Sequence, residues 1–218
     1  MKLDQARAEF ISWARTYYNE NFISGSEGSI SCRIGDTMLI TPRRKSPATL
    51  TPEDVILIDI PGGSMSSGAN PPADMSLHRA VYRKYKETGA IVHTVEPNTM
   101  TSSMAGKTVY PLLDDLAQIV GPTTRVARYS EPVDAGIRAS VVRGLKKRSA
   151  VLLSGGGALC MGANLDEAHA VCQVLMKGCK CFIETEFLGG GIRINPVETR
   201  LMRLVYLIKY SKQNVKNR

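Results

Sequence analysis

The chain has 218 residues, a net charge of +8, 43% hydrophobic residues and 22% charged residues. This composition is ordinary for a globular protein, and the length favours one domain over residues 1–218 rather than two small ones. The chain has no run of about 18 apolar residues, which argues against a membrane span, and its first residues lack a signal peptide's apolar stretch. We therefore expect a cytoplasmic protein whose five cysteines are free thiols.

Helical and strand patterns alternate in the first half of the chain. Apolar residues at helical spacing predict a helix over residues 1–20, and a hairpin is predicted to turn at Gly35-Asp36. Thr51-Pro52 resembles a helix start, with a cap followed by a first-turn proline. In chain order, the further elements predicted here are strands over 29–33, 37–40 and 55–60, a loop over 61–75, a helix over 75–88 and a strand over 90–95.

The second half continues the same alternation, which is typical of a layered α/β sheet covered by helices. The chain ends in a basic segment with no acidic residue after Glu198. Few aromatic residues and no nucleic-acid motif accompany these charges, so nucleic-acid binding is not expected. The predicted elements are a helix over 111–120, a strand over 124–129, a helix over 135–147, a strand over 150–153, and helices over 165–187 and 197–210.

Three groups of short segments follow one another over almost the whole chain. They are Gly28-Ser29-Ile30-Ser31 with Ile40-Thr41-Pro42, then Asp74 to Tyr82 with Gly89-Ala90-Ile91-Val92-His93-Thr94, and finally Ala127-Arg128-Tyr129 with the strand at 150–153 and Gly155-Gly156-Gly157. In this order they resemble the class II aldolase/adducin family, which includes fuculose-phosphate and rhamnulose-phosphate aldolases and ribulose-phosphate epimerase.

The resemblance implies a fold and an assembly. The fold would be a three-layer αβα arrangement around a central, largely antiparallel sheet. The protein would be a homo-oligomer, a tetramer by family resemblance, with sites at subunit borders. Asp74 takes the position of the family's acid/base glutamate, so we assign it as the candidate catalytic residue.

The metal ligands that the resemblance implies are mostly absent. The family's His-x-His pair corresponds to His93 and Val95, and its third histidine falls within Gly155-Gly156-Gly157. Because a catalytic zinc usually takes three protein ligands, His93 as the one remaining metal-ligand candidate is not expected to hold it. Glu96 would point to the opposite face of a continuing strand, and Cys160 lies too far along the chain. No cofactor is expected; zinc would be required only if other residues replaced the missing ligands.

The phosphate pocket that the resemblance implies is also altered. Ser29 replaces an asparagine, and Arg43-Arg44 replace a Ser-Gly pair. Two arginines can contact a carboxylate or phosphate, but an exposed basic loop explains them equally well. The candidate ligand-binding residues are Gly28, Ser29, Thr41, Arg43, Arg44, His93 and Gly156.

These departures lead to three functional hypotheses. The first is an aldolase-like domain with a degraded metal site, which lacks zinc lyase activity and binds a small acidic or sugar-phosphate-like ligand or serves assembly. The second is a metal-dependent aldolase or epimerase acting on a small phosphorylated sugar with other residues as ligands. The third is an interaction module without a small-molecule site.

Overall fold

A computed structural model describes residues 3–66 and 68–216, with side chains described up to residue 209. Seven strands form one sheet in the order β3-β2-β1-β4-β7-β6-β5. Every neighbouring pair is antiparallel except β5 and β6, which confirms the predicted, largely antiparallel sheet. The strands are β1 (Ser29–Ile34), β2 (Thr37–Ile40), β3 (Ile56–Asp59), β4 (Ala90–Thr94), β5 (Val126–Ala127), β6 (Ala150–Leu153) and β7 (Ala158–Gly162).

Six α-helices accompany the sheet, and none of the helices in the described ranges is long and apolar enough to cross a membrane. Single 3-10 turns at Pro47–Thr49 and Pro52–Asp54 lie between β2 and β3. The helices are α1 (Leu3–Asn19), α2 (Met75–Lys84), α3 (Pro97–Met104), α4 (Ala135–Gly144), α5 (Leu165–Phe187) and α6 (Pro196–Lys216).

The sheet separates two apolar cores, which gives three layers. Phe10 of α1 and Leu175 of α5 pack on one face, while Leu77 of α2 and Val141 of α4 pack on the other. Successive side chains of a strand point to opposite faces. All five residues of the central strand β4 are therefore buried, since helices cover both of its sides. The expected αβα layering is confirmed.

Several predicted boundaries were wrong. The sequence pattern did not predict α3 or β7, and the helix predicted over 111–120 is reduced to one wide turn at Leu116–Val120. The strand predicted over 124–129 shrinks to two residues, and α2 ends at Lys84 because Tyr85 takes an extended backbone conformation. The predicted first helix is confirmed, although its residues 1 and 2 lie outside the described part, as do the side chains of the basic segment beyond residue 209.

Arg203 attaches α6 to the rest of the molecule. Its guanidinium donates to the carbonyl oxygens of Gln118 and Ile119 at 2.7 Å and to Ser149 Oγ at 2.7 Å. The side chain is 9% exposed, so these bonds are largely shielded from water. A buried arginine therefore holds a helix that would otherwise make few contacts on this side.

We predict that Arg203→Ala loosens α6, because it leaves two buried carbonyl groups without their donor. A hydrogen bond to a charged group contributes about 1.5–3 kcal/mol, so the free energy of unfolding should fall by about 3 kcal/mol. Hydrogen exchange should accelerate in residues 196–209. Arg200→Ala, on the same helix but exposed, is the control and should change stability by less than about 0.5 kcal/mol. Equal exchange rates in both variants would contradict the anchoring role.

Candidate functional site

A cavity of about 570 Å³ opens at one end of the sheet. Its wall combines the end of β4, the start of α2, the turn between β6 and β7, and the basic loop after β2. Ser29 lies directly behind this wall, bonded to Asp74. The other seven predicted site residues line the cavity, namely Gly28, Thr41, Arg43, Arg44, Asp74, His93 and Gly156.

Sheet register and turn geometry bring these residues together. Ser29 of β1 pairs directly with His93 of β4, and Asp74 immediately precedes α2. Gly155 and Gly157 have positive φ angles of 69° and 76°, a conformation that glycine adopts readily. A Cβ atom at Gly157 would lie 2.1 Å from the Thr94 carbonyl oxygen. Only glycine therefore lets this turn close over the end of β4.

His93 is hydrogen-bonded at both ring nitrogens. Its Nδ1 lies 2.6 Å from Asp74 Oδ2, and its Nε2 lies 2.6 Å from the Gly156 carbonyl oxygen. A carbonyl oxygen can only accept a hydrogen bond, so Nε2 must carry a proton. When Asp74 is ionised, Nδ1 donates as well. The ring is then an imidazolium that bridges α2 and the glycine turn.

The electrostatics of the pair support this protonation. Burial alone would raise the pKa of Asp74, but hydrogen bonds and charge interactions with His78 and His93 outweigh it and hold that pKa well below its usual value. Burial likewise favours a lower pKa for His93, but the bond and charge of Asp74, with the Gly156 carbonyl, raise it above its usual value. Each partner therefore stabilises the charged form of the other.

A buried polar network supports Asp74 from behind. Ser29 Oγ donates to Asp74 Oδ2 at 2.6 Å and lies 2.9 Å from His78 Nε2. The other ring nitrogen of His78 lies 2.7 Å from Ser31 Oγ, which contacts the Tyr82 hydroxyl at 2.9 Å. The sequence pattern predicted a structural role for His78 in packing or at the surface. Its helical position one turn after Asp74 was the signal that it shares the same site.

The side chains around His93 do not fit a three-histidine zinc site. Val95 carries no donor atom, and a Cβ at Gly156 would lie 2.5 Å from the Tyr129 ring. Tyr129 thus fills the space that a side chain at position 156 would need. Among the described residues, no three His, Cys, Asp or Glu side chains are grouped so as to hold a metal ion.

The two substitute ligands considered from the sequence are placed elsewhere. Glu96 does not continue β4 but caps α3, and its carboxylate accepts from Asn98 Nδ2 and the Thr99 amide. Cys160 is fully buried in β7, inside the core shared with α1 and α5. Neither residue lines the cavity.

The basic loop contributes less free charge than its sequence indicates. Arg43 Nη2 lies 3.9 Å from Glu131 Oε2, and Lys45 Nζ lies 2.5 Å from Asp54 Oδ1. Arg44 adopts a positive φ of 56° and has no ion-pair partner in the described part of the chain. All three basic residues line the cavity, so the loop is a part of its wall, with Arg44 as its most available cation.

Comparison with solved structures defines the class of the fold. An L-fuculose 1-phosphate aldolase aligns with a TM-score of 0.85 over 92% of this chain and 95% of that chain, at 20% sequence identity. The seven-stranded sheet covered by helices is therefore the class II aldolase fold.

Sequence comparison identifies the family. The profile described as "Class II Aldolase and Adducin N-terminal domain" matches residues 8–183, and this chain belongs to that family. A 5-deoxy-D-ribulose 1-phosphate aldolase of Bacillus thuringiensis serovar kurstaki is 25% identical over 87% of this chain and 89% of its own length. A methylthioribulose-1-phosphate dehydratase of Methylococcus capsulatus is 33% identical over 60% of this chain and 66% of its own.

We predict that Asp74→Asn lowers the free energy of unfolding by about 3 kcal/mol near pH 5, because it removes the counter-charge of a buried imidazolium. This corresponds to a melting temperature lower by roughly 6–12 °C. The raised pKa of His93 means that its contribution is complete below about pH 6.5 and is lost as pH rises through the folded-state pKa. The depressed pKa of Asp74 means that its contribution is present above about pH 3.9 and is lost as pH falls through the folded-state pKa.

The difference between wild type and Asp74→Asn should therefore be largest between about pH 4 and 6.5 and shrink in more alkaline buffer. Thermal melts across this pH range provide the measurement. Asp36→Asn, an exposed position in the β1–β2 turn, is the matched control. A difference that grows with alkaline pH would rule out the charged pair.

Proposed function

We propose that this chain is a class II aldolase-type domain that lacks zinc lyase activity and binds a small anionic ligand in the cavity beside His93. The observation that carries the proposal is the bonding of His93. A metal ligand must offer a ring-nitrogen lone pair, and here Asp74 and the Gly156 carbonyl engage both nitrogens. Zinc would have to break one of these bonds and would gain a single imidazole.

The cavity itself supports a ligand-binding role. Its volume of about 570 Å³ lies within the roughly 300–1,000 Å³ typical of small-molecule sites. Arg44 supplies an available cation at one side, and a guanidinium suits a carboxylate or a phosphate. These features favour a binding site over an interaction module that has no small-molecule site.

A second feature favours a ligand that also carries a hydrogen-bond donor. Asp74 Oδ1 is buried and has no hydrogen-bond partner, although Asp74 lines the cavity. An unsatisfied buried carboxylate oxygen costs free energy, and a ligand hydroxyl that donates to it would remove that cost. We therefore infer a small hydroxylated anion, a class that includes sugar phosphates and hydroxy acids.

The alternative is a metal-dependent aldolase or epimerase with other ligands, and the same Asp74 oxygen favours it. Asp74 occupies the family's acid/base position, and the relatives that match this chain are named for two different reactions, an aldol cleavage and a dehydration. Family membership therefore does not by itself specify a reaction. This alternative needs His93 to release Gly156 when metal binds.

We predict that protein purified without chelators contains well under one zinc ion per chain and takes up none on incubation with zinc, as measured by elemental analysis. The triple variant Val95→His/Gly156→His/Tyr129→Ala is the positive control, because it supplies three imidazoles and removes the ring that blocks position 156. Stoichiometric zinc in the wild type, lost in His93→Ala and accompanied by chelator-sensitive cleavage of L-fuculose 1-phosphate, would establish the alternative instead.

We predict that Arg43→Gln/Arg44→Gln weakens binding of L-fuculose 1-phosphate or inorganic phosphate at least about tenfold, since each charge-assisted contact contributes about 1.5–3 kcal/mol. Calorimetry and the ligand-induced rise in melting temperature both report this change. Arg143→Gln, on the exposed side of α4, is the control for net charge. Equal affinity in both variants would show that the basic loop is not part of the binding site.

A further inference from the structure

The C-terminal helix α6 presents an unusual distribution of side chains. The side that faces the molecule carries Thr199 and Arg203, which are 2% and 9% exposed, with Tyr206 half-buried beside them. Arg203 makes its three hydrogen bonds on this side. The helix is therefore attached to its own chain largely through polar groups.

The opposite side of α6 is apolar and open. With 3.6 residues per turn, its five apolar side chains form one stripe directly opposite Arg203, and each is between 51% and 69% exposed. We call these residues the α6 stripe. A helix that packs only on its own domain normally buries its apolar stripe and exposes its polar side. The α6 stripe consists of Val197, Leu201, Leu204, Val205 and Ile208.

The spacing within the stripe matches helix-on-helix packing. Val197, Leu201, Leu204 and Ile208 follow one another at intervals of four, three and four residues. This alternation keeps one seam of side chains facing a partner helix, where each fits between side chains of the other. The spacing therefore points to another helix with a seam of the same kind, rather than to a flat surface or a small ligand.

The charges beside the stripe are compatible with a second copy of the same helix. The flanking positions carry Glu198 and Arg200 near the start and Val205 and Leu207 further along. No row of like charge runs beside the seam, so two copies can approach without facing repulsion despite the chain's net charge of +8. A partner of opposite charge is not required.

The exposed area is also sufficient. Phe187, Leu188 and Ile192, in the segment leading to α6, are 85–94% exposed. Together with the α6 stripe they give eight exposed apolar side chains, and at on the order of 50–100 Å² each they provide roughly 400–800 Å². This approaches the roughly 800 Å² that each partner buries in a stable interface. It is at or above the largest patch of a typical monomer, roughly 300–600 Å².

We propose that the α6 stripe is a self-association surface and that its occupant is the α6 helix of a second copy of this chain. The pairing buries Leu201 and Leu204 at its centre. It leaves the cavity beside His93 to its own chain, so it goes beyond the proposed ligand-binding function and does not depend on it.

Sedimentation velocity and light scattering of the full chain test the pairing. The wild type should have at least twice the 23.8 kDa mass of one chain, and Leu201→Glu/Leu204→Glu should reduce it to one chain, because carboxylates would be buried in the seam. Met104→Glu, which introduces the same charge at an exposed apolar position of α3, should leave the assembly unchanged. A monomeric wild type, or an assembly that survives the double substitution, overturns the proposal.

Disulfide trapping tests the helix-to-helix geometry without relying on a destabilised variant. Leu204→Cys should give a covalent dimer on mild oxidation, while the wild type, with its five native cysteines, and Met104→Cys should not. Unchanged far-UV circular dichroism confirms that Leu201→Glu/Leu204→Glu is folded. An assembly lost in that variant but never trapped through position 204 would overturn the pairing of α6 with α6.

Discussion

The imidazole of His93 joins three pieces of the chain that fold separately. It sits on β4, takes one bond from the residue before α2, and donates the other to the turn between β6 and β7. Because the ring is only 6% exposed, its charge depends on Asp74, whose carboxylate depends in turn on Ser29 and on the His78–Ser31 pair behind it. The cavity wall is therefore held by one buried ion pair and its supporting hydroxyl groups. Loss of either charged partner leaves a buried charge uncompensated.

This arrangement uses a lyase scaffold for a different balance of interactions. Where three imidazoles would hold zinc, a carbonyl oxygen and a tyrosine ring take up the same space. Tyr129 packs edge-on against His93 with ring centroids 5.6 Å apart, and its hydroxyl lies 3.2 Å from Glu131. The result is a preformed polar cavity with a basic loop at its side, which favours binding of an anion over polarisation of a carbonyl group. The family supplies the frame, and these few side chains decide what it can hold.

The cavity and α6 make opposite use of polar and apolar groups. Around His93, charged groups are buried because each has a partner of fixed geometry. On α6, a buried arginine holds the helix while leucine and valine side chains remain in water. Since exposed apolar area is the main driving force for association, the stability of α6 is tied to whatever covers its outer side.

The sequence by itself determined the alternation of α and β elements, the strongly periodic helices α1 and α5, and the candidates Asp74, His93 and Gly156, because these depend on local pattern or residue type. It did not predict α3, whose eight residues lack an apolar period and which begins where Glu96 caps it. It also missed β7, a short strand recognisable only by its pairing with β4 and β6. The closure of His93 by Gly156 joins residues 63 positions apart, and the filling of position 156 by Tyr129 is a contact of the same long-range kind. Only sheet register and the glycine turn decide such contacts, so the tertiary structure alone revealed that the remaining histidine is already bonded.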